Sequence, residues 1–244
     1  MATQIPILTY HRIHADEDIS VPDDTGRVDL SEFLRQLDAL VQAGISSVTH
    51  HDLAAWLYDD RELPERAVAL DFDDNRLNVF ENAFPAMQER DLHGTVFTVT
   101  HLADAKPLPH MEAYPSMLWQ HLTRLRDAGW CIAPHTMRHL HLAGPERGIK
   151  SIDEARLEME GSLERVREMT GVDAPYFAYP VGSCDEELEA TAKTLFKTAR
   201  HWQASEPHDI PVVTKGTDPY RLTGINVAFD MTPERFKQIV ATAR

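Results

Sequence analysis

The sequence predicts an α/β fold, and two observations support that prediction. Short apolar segments alternate with amphipathic segments along the whole chain, a pattern typical of parallel βαβ units. About seven to eight of the apolar segments have the length of a strand, and that number favours a closed barrel over an open sheet. No internal repeat, low-complexity tract or linker is apparent, so we predict a single domain over residues 1–244.

The individual elements follow from the period of the apolar residues and from turn residues at their ends. Strands are predicted at 5–10, 45–49, 67–75, 95–99, 130–133, 176–179 and 225–229. Helices are predicted at 30–43, 52–58, 79–90, 116–127, 151–169 and 186–196, with a last helix capped by Thr232. We predict loops at 14–29 and 101–115, an irregular region at 200–220, and a solvated face for the charges between Glu154 and Glu168.

Composition limits the classes of function. The 244 residues include 43% hydrophobic and 26% charged residues, as in ordinary globular proteins. The net charge of −15 disfavours nucleic acid or an anionic membrane as a partner, because both are polyanions. The 13 histidines make metal chemistry worth considering, whereas the two cysteines, Cys131 and Cys184, form neither a CxxC motif nor a disulfide framework.

The N-terminal segment shows no targeting signal. It lacks both the basic region and the apolar region of a signal peptide, and no stretch approaches the roughly 18 apolar residues of a membrane span. The chain as written is therefore predicted to be cytoplasmic. A secreted protein shortened at its N-terminus would read the same and would be periplasmic or extracellular. The sequence does not predict the oligomeric state.

The predicted central strand 67–75 ends in acidic residues. Asp73 and Asp74 fall at its C-terminal end, where α/β folds place their active sites. Adjacent side chains on an extended backbone point in opposite directions, so the two carboxylates can take different tasks. One can bind a metal while the other acts as a base. The alternative is an Asp-rich turn that caps the next helix.

Two histidines follow another predicted strand. His135 and His139 are four residues apart, so on one helical turn both imidazoles would face the same way and reach one ion. Asp74 is the best candidate for a third ligand. Three protein ligands with one open position are typical of a catalytic metal site. The alternative is a pair of surface histidines in a loop.

These residues together favour a hydrolysis. A metal held by this triad would polarise a bound water, and Asp73 would stand beside it as the general base. The developing oxyanion needs a further donor, which the turn 179–182 can supply. Pro180 has no N–H, so we predict Tyr179 and Val181 as the catalytic residues of this turn.

In combination, these motifs resemble a known family. Residues 71–75 read DFDDN, residues 135–139 read HTMRH, and residues 177–182 read FAYPVG. This order is similar to the polysaccharide deacetylases of carbohydrate esterase family 4. The segments 7–13 (ILTYHRI) and 225–227 (INV) resemble the branch that acts on poly-β-1,6-N-acetylglucosamine.

The resemblance covers nearly the whole chain and implies a fold, a cofactor and a reaction. The fold would be a distorted (β/α)7 barrel, and the cofactor one divalent metal ion, often zinc. The reaction would remove N-acetyl groups from a glycan. By position, Asp73 would be the base, and the metal ligands would be Asp74, His135 and His139.

Several positions depart from the family pattern. Asp71 replaces a threonine, and Asn75 replaces a glycine, which makes the loop less free to adopt a positive φ. Val181 replaces a tyrosine, which removes an aromatic wall. No arginine precedes the third motif, where the family often has one that orients the base, and the late Leu-x-His motif, which supplies a general acid, is not apparent.

The general acid is therefore left open. The candidates are His201, His208 and His141, each of which also reads as a surface histidine, or Asp73 returning the proton itself. We predict that His11 faces the substrate or supports the ligands. Trp202 is a candidate for stacking on a sugar ring, against an alternative in which it is structural.

The sequence thus predicts a metal-dependent N-deacetylase of an N-acetylglucosamine polymer that releases acetate. Two alternatives stay open. The substrate would be a small cytoplasmic amide or sugar derivative in the first, which the altered third motif motivates. The second is an inactive relative that binds glycan, motivated by the missing arginine and the missing acid.

Overall fold

The computed structural model of the protein describes residues 3–16, 26–111, 113–144, 146, 148–203 and 209–244. The strands are β1 (Ile7–Tyr10), β2 (Arg12–His14), β3 (Arg27–Asp29), β4 (Ser46–Val48), β5 (Ala67–Asp73), β6 (Thr95–Thr98), β7 (Cys131–Pro134), β8 (Tyr176–Ala178), β9 (Thr198–Gln203) and β10 (Leu222–Asn226). The helices are α1 (Leu30–Gln42), α2 (His50–Asp59), α3 (Phe84–Gln88), α4 (Thr100–Ala103), α5 (Trp119–Asp127), α6 (Ile152–Thr170), α7 (Glu186–Leu195) and α8 (Pro233–Val240). Val79–Ala83 forms a π-helical turn, and Pro109–Met111 and Pro180–Gly182 form 3₁₀ turns.

The main sheet is a nearly closed barrel of parallel strands surrounded by helices. Its strands follow the order β7-β6-β5-β1-β10-β9-β8, and β4 pairs with the first half of β5. In the middle, Leu8 of β1 lies opposite Leu70 of β5 and Ile225 of β10. The two end strands, β7 and β8, approach each other, and there the His135 imidazole bonds the Ala178 carbonyl at 2.7 Å. The predicted α/β barrel is therefore confirmed.

The side chains of the central strand β5 alternate between the surrounding helices and the barrel interior. Val68, Leu70 and Phe72 belong to the main apolar cluster, which they share with residues of α1, α5 and α8. Asp71 and Asp73 alternate with them and therefore face the barrel interior. The barrel is thus apolar toward its helices and charged inside, close to the carboxyl ends of its strands.

Two predicted loop regions contain strands. The segment 14–29 includes β3, which forms a small parallel pair with β2. The region 200–220, predicted as irregular, begins within β9, which joins β8 and β10 in the barrel. This second difference matters for function, because β9 carries a charged side chain into the barrel. Among the residues that the structure describes, no helix has both the length and the apolar composition that crossing a membrane requires.

Candidate active site

Three side chains from two strand ends converge at the mouth of the barrel. Asp74 follows β5, and His135 and His139 follow β7, the next strand but one in the sheet. The Nε2 atoms of His135 and His139 lie 3.7 Å and 3.2 Å from Asp74 Oδ1. One ligand atom from each residue lies within 4.8 Å of those of the other two. The structure therefore brings together the three residues that the sequence predicts as metal ligands.

The loop after β5 adopts a conformation unusual for residues with a side chain. Asp74 and Asn75 have φ angles of 71° and 40°, which Asp and Asn adopt more readily than other L-residues because their short side chains can bond locally. The Asn75 amide fixes the loop, since its Oδ1 accepts from the Val99 N–H and its Nδ2 donates to the Met117 carbonyl. Asn75 thus adopts a positive φ at the position where the family pattern has a glycine, and its side chain adds two hydrogen bonds.

The histidine segment is not helical, so the predicted helical turn is wrong. Thr136 and His139 have φ angles of 67° and 54°, which a right-handed helical turn excludes. The His139 N–H donates to Thr136 Oγ1 at 2.9 Å. The two imidazoles still meet, with ring centroids 5.0 Å apart, because two left-handed residues fold the segment back on itself.

The hydrogen bonds of His135 leave one ring nitrogen available. Its Nδ1 lies 2.7 Å from the Ala178 carbonyl oxygen, an acceptor, so Nδ1 carries the proton and Nε2 presents a lone pair toward Asp74. Burial lowers the pKa of both imidazoles, that of His139 to about 4. Both rings are therefore neutral near pH 7, which is the form that binds a metal.

The carboxylate of the triad is ionised. Burial alone would raise the pKa of Asp74, but its interactions with Arg76 and with His139, which is protonated at the low pH where Asp74 titrates, outweigh burial and hold this pKa well below its usual range. Arg76 Nη2 lies 3.5 Å from Asp74 Oδ2. Asp74 Oδ1, in contrast, is buried without a hydrogen-bond partner among the described residues. One carboxylate oxygen is thus held by a cation, and the other is directed at two imidazole nitrogens.

This donor set fits a divalent ion. One carboxylate oxygen and two neutral imidazoles are ligands that Zn²⁺ accepts in three-ligand catalytic sites. The buried Oδ1 of Asp74 accepts no hydrogen bond from any residue that the structure describes, and the His135 ring is oriented by a backbone carbonyl in the way that ligating histidines usually are. Asp74, His135 and His139 are therefore the residues that would hold a metal.

Sequence reasoning missed Arg200, which lies inside the barrel beside Asp73. Its Nη2 donates to Asp73 Oδ1, and its Nε lies 2.8 Å from Asp71 Oδ2. On the far side, Asp71 Oδ2 accepts from His50 Nε2 at 3.1 Å. All four side chains are buried. The arginine absent before the third motif thus has a counterpart on another strand, and Asp71, which replaces a threonine of the family pattern, pairs with it.

The position of Arg200 follows from two features of its neighbourhood. It lies in the middle of β9, where residues alternate between barrel and helices. On β10, Arg200 lies opposite Leu222, but its side chain runs beside Gly224, where a Cβ atom would lie 3.1 Å from Arg200 Cδ and 2.2 Å from Thr9 Oγ1. Gly224 therefore leaves the space that the guanidinium stem fills. The sequence offered two signals for this contact. One is an arginine at a barrel-facing position of a strand, and the other is a glycine on the adjacent strand.

Asp73 is buried and charged. Burial would raise its pKa, but the Arg200 guanidinium, with smaller effects from His135 and His11, lowers this pKa below its usual value. The carboxylate is consequently ionised at neutral pH and able to accept a proton. Asp73 and Asp74 are adjacent in sequence, yet the first is paired with an arginine inside the barrel and the second faces the histidines.

The turn after β8 contains the two other predicted catalytic residues. Val181 is 40% exposed and has a φ of 51°, an uncommon backbone conformation for a β-branched residue. Tyr179 is buried, and its N–H donates to the Arg200 carbonyl. Tyr179 has therefore neither a free backbone donor nor an exposed side chain for a substrate. It anchors the turn to β9, while Val181 is the accessible member.

His11 and Trp202 lie on the other side of the site. His11 follows β1 and interacts electrostatically with both Asp73 and Asp74. Its Nδ1 is buried without a hydrogen-bond partner among the described residues. The Trp202 indole meets the His11 ring edge to face, with centroids 6.4 Å apart, and both side chains are partly exposed. They therefore lie next to each other, with His11 nearer the carboxylates.

The candidates for the general acid lie elsewhere or cannot be placed. His201 packs against Tyr179 and lines a separate cavity of about 340 Å³ with Cys184 and Arg221. His141 lies 3.6 Å from the exposed Glu146 carboxylate. His208 falls outside the described residues. His11, in contrast, interacts electrostatically with both Asp73 and Asp74.

Comparisons with known proteins identify the family of the chain. A sequence model of the family described as "Polysaccharide deacetylase" matches residues 60–199, more than half of the chain. YxkH of Bacillus subtilis (strain 168), named as a polysaccharide deacetylase, is 25% identical over 195 residues. That match covers 80% of this chain and 63% of YxkH, so the chain spans less than two thirds of that relative.

Two solved structures share the fold over nearly the whole chain. The Streptococcus pyogenes deacetylase PplD, solved in complex with acetate, has a TM-score of 0.81 at 20% identity and covers 98% of this chain and 99% of its own. A de-N-acetylase from Aggregatibacter actinomycetemcomitans has a TM-score of 0.79 at 15% identity, with coverages of 97% and 99%. The family match includes all three motifs of the site. The chain belongs to the polysaccharide deacetylase family.

Proposed function

We propose that this protein is a metal-dependent hydrolase that removes N-acetyl groups from an N-acetylglucosamine-containing polysaccharide and releases acetate. The observation that carries the proposal is the arrangement at the end of β5. There, Asp74 meets His135 and His139 in a ligand triad, while the neighbouring Asp73 is buried and ionised beside Arg200. Family membership supports the reaction class, and the names of PplD and the de-N-acetylase agree with deacetylation.

Each residue of the site has a task in this reaction. When bound, a divalent ion supplies Lewis acidity, which acidifies a water and polarises the acetyl carbonyl. Asp73 takes the proton of the attacking water, because its carboxylate is ionised and Arg200 holds its orientation. The water oxygen bonds to the carbonyl carbon, and the backbone N–H of Val181, a residue that is 40% exposed, donates to the oxyanion.

The second half of the reaction needs a proton for the departing amine. Among the described histidines outside the ligand set, we assign this task to His11, because it follows the end of β1, its Nδ1 is buried without a hydrogen-bond partner among the described residues, and it interacts electrostatically with both Asp73 and Asp74. The C–N bond breaks as the nitrogen takes this proton, and acetate and a free amine leave. The proton held by Asp73 then restores His11 through solvent. Asp73 and His11 together complete the proton transfers of an amide hydrolysis.

The substrate class rests on the resemblance of the sequence and on the aromatic ring of Trp202 near the site. The opening segment 7–13 resembles the poly-β-1,6-N-acetylglucosamine branch, and the Trp202 ring beside His11 offers an apolar face for a sugar. The alternative of an inactive glycan-binding relative was motivated by a missing arginine and a missing general acid. The first reason no longer applies, because Arg200 contacts Asp73, the proposed base. A small amide is the remaining competitor, and it is tested by the substrate panel below.

A substrate panel separates the proposed activity from this competitor. The purified protein would be loaded with Zn²⁺ and offered β-1,6-linked N-acetylglucosamine oligomers, β-1,4-linked oligomers and monomeric N-acetylglucosamine. We expect acetate release to rise with oligomer length and to be at least about tenfold faster on the β-1,6 oligomers than on the monomer, because remote contacts with a polymer contribute to the transition state. Release from the monomer at the oligomer rate would instead indicate a small-molecule amidohydrolase.

A further inference from the structure

A buried glutamate on α6 holds the backbone between the two histidines of the site. Glu158 is fully buried, although the sequence predicts a solvated face for this part of the helix. Its Oε2 accepts from the N–H groups of Met137 and Arg138 at 3.0 Å and 2.9 Å, and its Oε1 accepts from the Arg138 guanidinium. The two N–H groups belong to the residues between His135 and His139. One carboxylate therefore fixes the backbone that joins the two imidazoles.

This segment depends on bonds from outside itself. Two of its residues, Thr136 and His139, are left-handed, a conformation that is unfavourable for L-residues. The segment has no helical ladder, and its carbonyls are held by another element. The N–H groups of Thr100 and His101 in α4 donate to the carbonyls of Thr136 and Met137. Glu158 supplies the matching acceptors for the N–H groups, so both sides of the strained backbone are satisfied.

The surface of α6 is shaped for this contact. Gly161 lies one turn after Glu158 on the same helix face. A Cβ atom at Gly161 would lie only 2.8 Å from Met137 Sδ. The helix thus presents an acceptor and, next to it, a position without a side chain, and the histidine segment packs closely against both. Charge-assisted hydrogen bonds that backbone N–H groups donate to a buried carboxylate are among the strongest that a backbone can make.

We propose that Glu158 is a positioning residue of the metal site, which sets the relative placement of His135 and His139. It contacts neither the ion nor the substrate and acts through the Met137 and Arg138 peptide groups. The inference rests on the proposed function in one respect only, namely that the triad binds a divalent ion. Changes in the groups that orient metal ligands typically weaken metal binding about 10–100-fold. We expect replacement of Glu158 to weaken zinc binding by a factor in that range.

The test measures the zinc affinity of metal-stripped protein by competition with a chromogenic chelator. Glu158→Ala should bind Zn²⁺ about 10–100-fold more weakly than the wild type. Glu158→Gln should lie between them, because its amide oxygen can still accept from the backbone while its NH₂ faces Arg138. The matched control is Glu154→Gln. Glu154 also bonds the Arg138 side chain, at 3.0 Å, but within residues 135–139 it bonds no backbone group. The zinc affinity of Glu154→Gln should therefore stay within about twofold of that of the wild type.

Urea unfolding of the same metal-free variants separates positioning from a general loss of stability. If both Glu158 variants were less stable yet bound zinc as tightly as the wild type, Glu158 would be structural only and the inference would be overturned. Should the alanine variant fail to fold, the glutamine variant decides the question. A wild-type protein that binds no zinc would overturn the metal site of the proposed function and this inference with it. The two failures are therefore distinguishable.

Discussion

Replacement of Asp73 by asparagine is expected to lower the rate of acetate release by about 10²–10⁴-fold, the usual contribution of a general base. The amide keeps the shape of the carboxylate but cannot take a proton from water. Metal binding should be nearly unchanged, because Asp74, His135 and His139 remain in place. The two readouts are acetate release from β-1,6-linked oligomers and zinc affinity, measured on the same preparation.

Asp71→Asn is the matched control for this variant. Asp71 precedes Asp73 by two residues on β5, faces the same side and is paired with the same arginine, yet it lies deeper in the barrel, next to His50. Its replacement should reduce acetate release far less than the replacement of Asp73. Equal losses in the two variants, or near-full activity of Asp73→Asn, would show that Asp73 is not the base.

Replacement of Arg200 by methionine is expected to lower the free energy of unfolding by about 3–5 kcal/mol, because it leaves buried carboxylates without their counter-ion. Asp71 and Asp73 are both buried, and Arg200 is the cation that bridges them. Without the guanidinium, burial dominates and the pKa of Asp73 rises. The base then needs a higher pH to ionise, so the acid limb of the pH–rate profile should move to higher pH. Urea unfolding and the pH dependence of acetate release measure the two effects.

A double-mutant cycle tests whether this loss comes from the charges. Removing one carboxylate as well, in Arg200→Met/Asp71→Asn, should recover part of the stability, so the two substitutions should not be additive. Arg200→Lys should rescue less well than its conserved charge suggests, since an ammonium cannot bridge two carboxylates as a planar guanidinium does. Strict additivity, with an unchanged pH profile in Arg200→Met, would argue against the bridging role.

The residues that the sequence predicts best are those whose chemistry is visible in a short motif. Asp74, His135 and His139 follow apolar segments, and parallel strands bring their carboxyl ends to one edge of the sheet. The convergence of these three side chains was predictable, but the local backbone was not. A helical turn and a left-handed bend both bring residues four apart together, and only the structure distinguishes them at Thr136 and His139.

Arg200 and Glu158 could not be predicted by the same reasoning. Strand β9 contains arginine and histidine instead of an apolar run, so its period-two pattern is masked. Its partner Asp73 lies 127 residues earlier, and the contact depends on how β9 registers with β10. Glu158 is one of many acidic residues on α6, and its burial is decided by the segment that packs on that helix. Both depend on tertiary contacts that local periodicity does not encode.

The most direct test of the proposed function is the metal content of the purified protein, measured together with acetate release before and after chelation. We expect about one divalent ion per chain, as a three-ligand site implies, and a loss of activity on chelation that added Zn²⁺ restores. His135→Ala and His139→Ala should each lose both the metal and the activity. Acetate release that persists in the metal-free protein, or metal that remains bound after both histidines are replaced, would contradict the proposal.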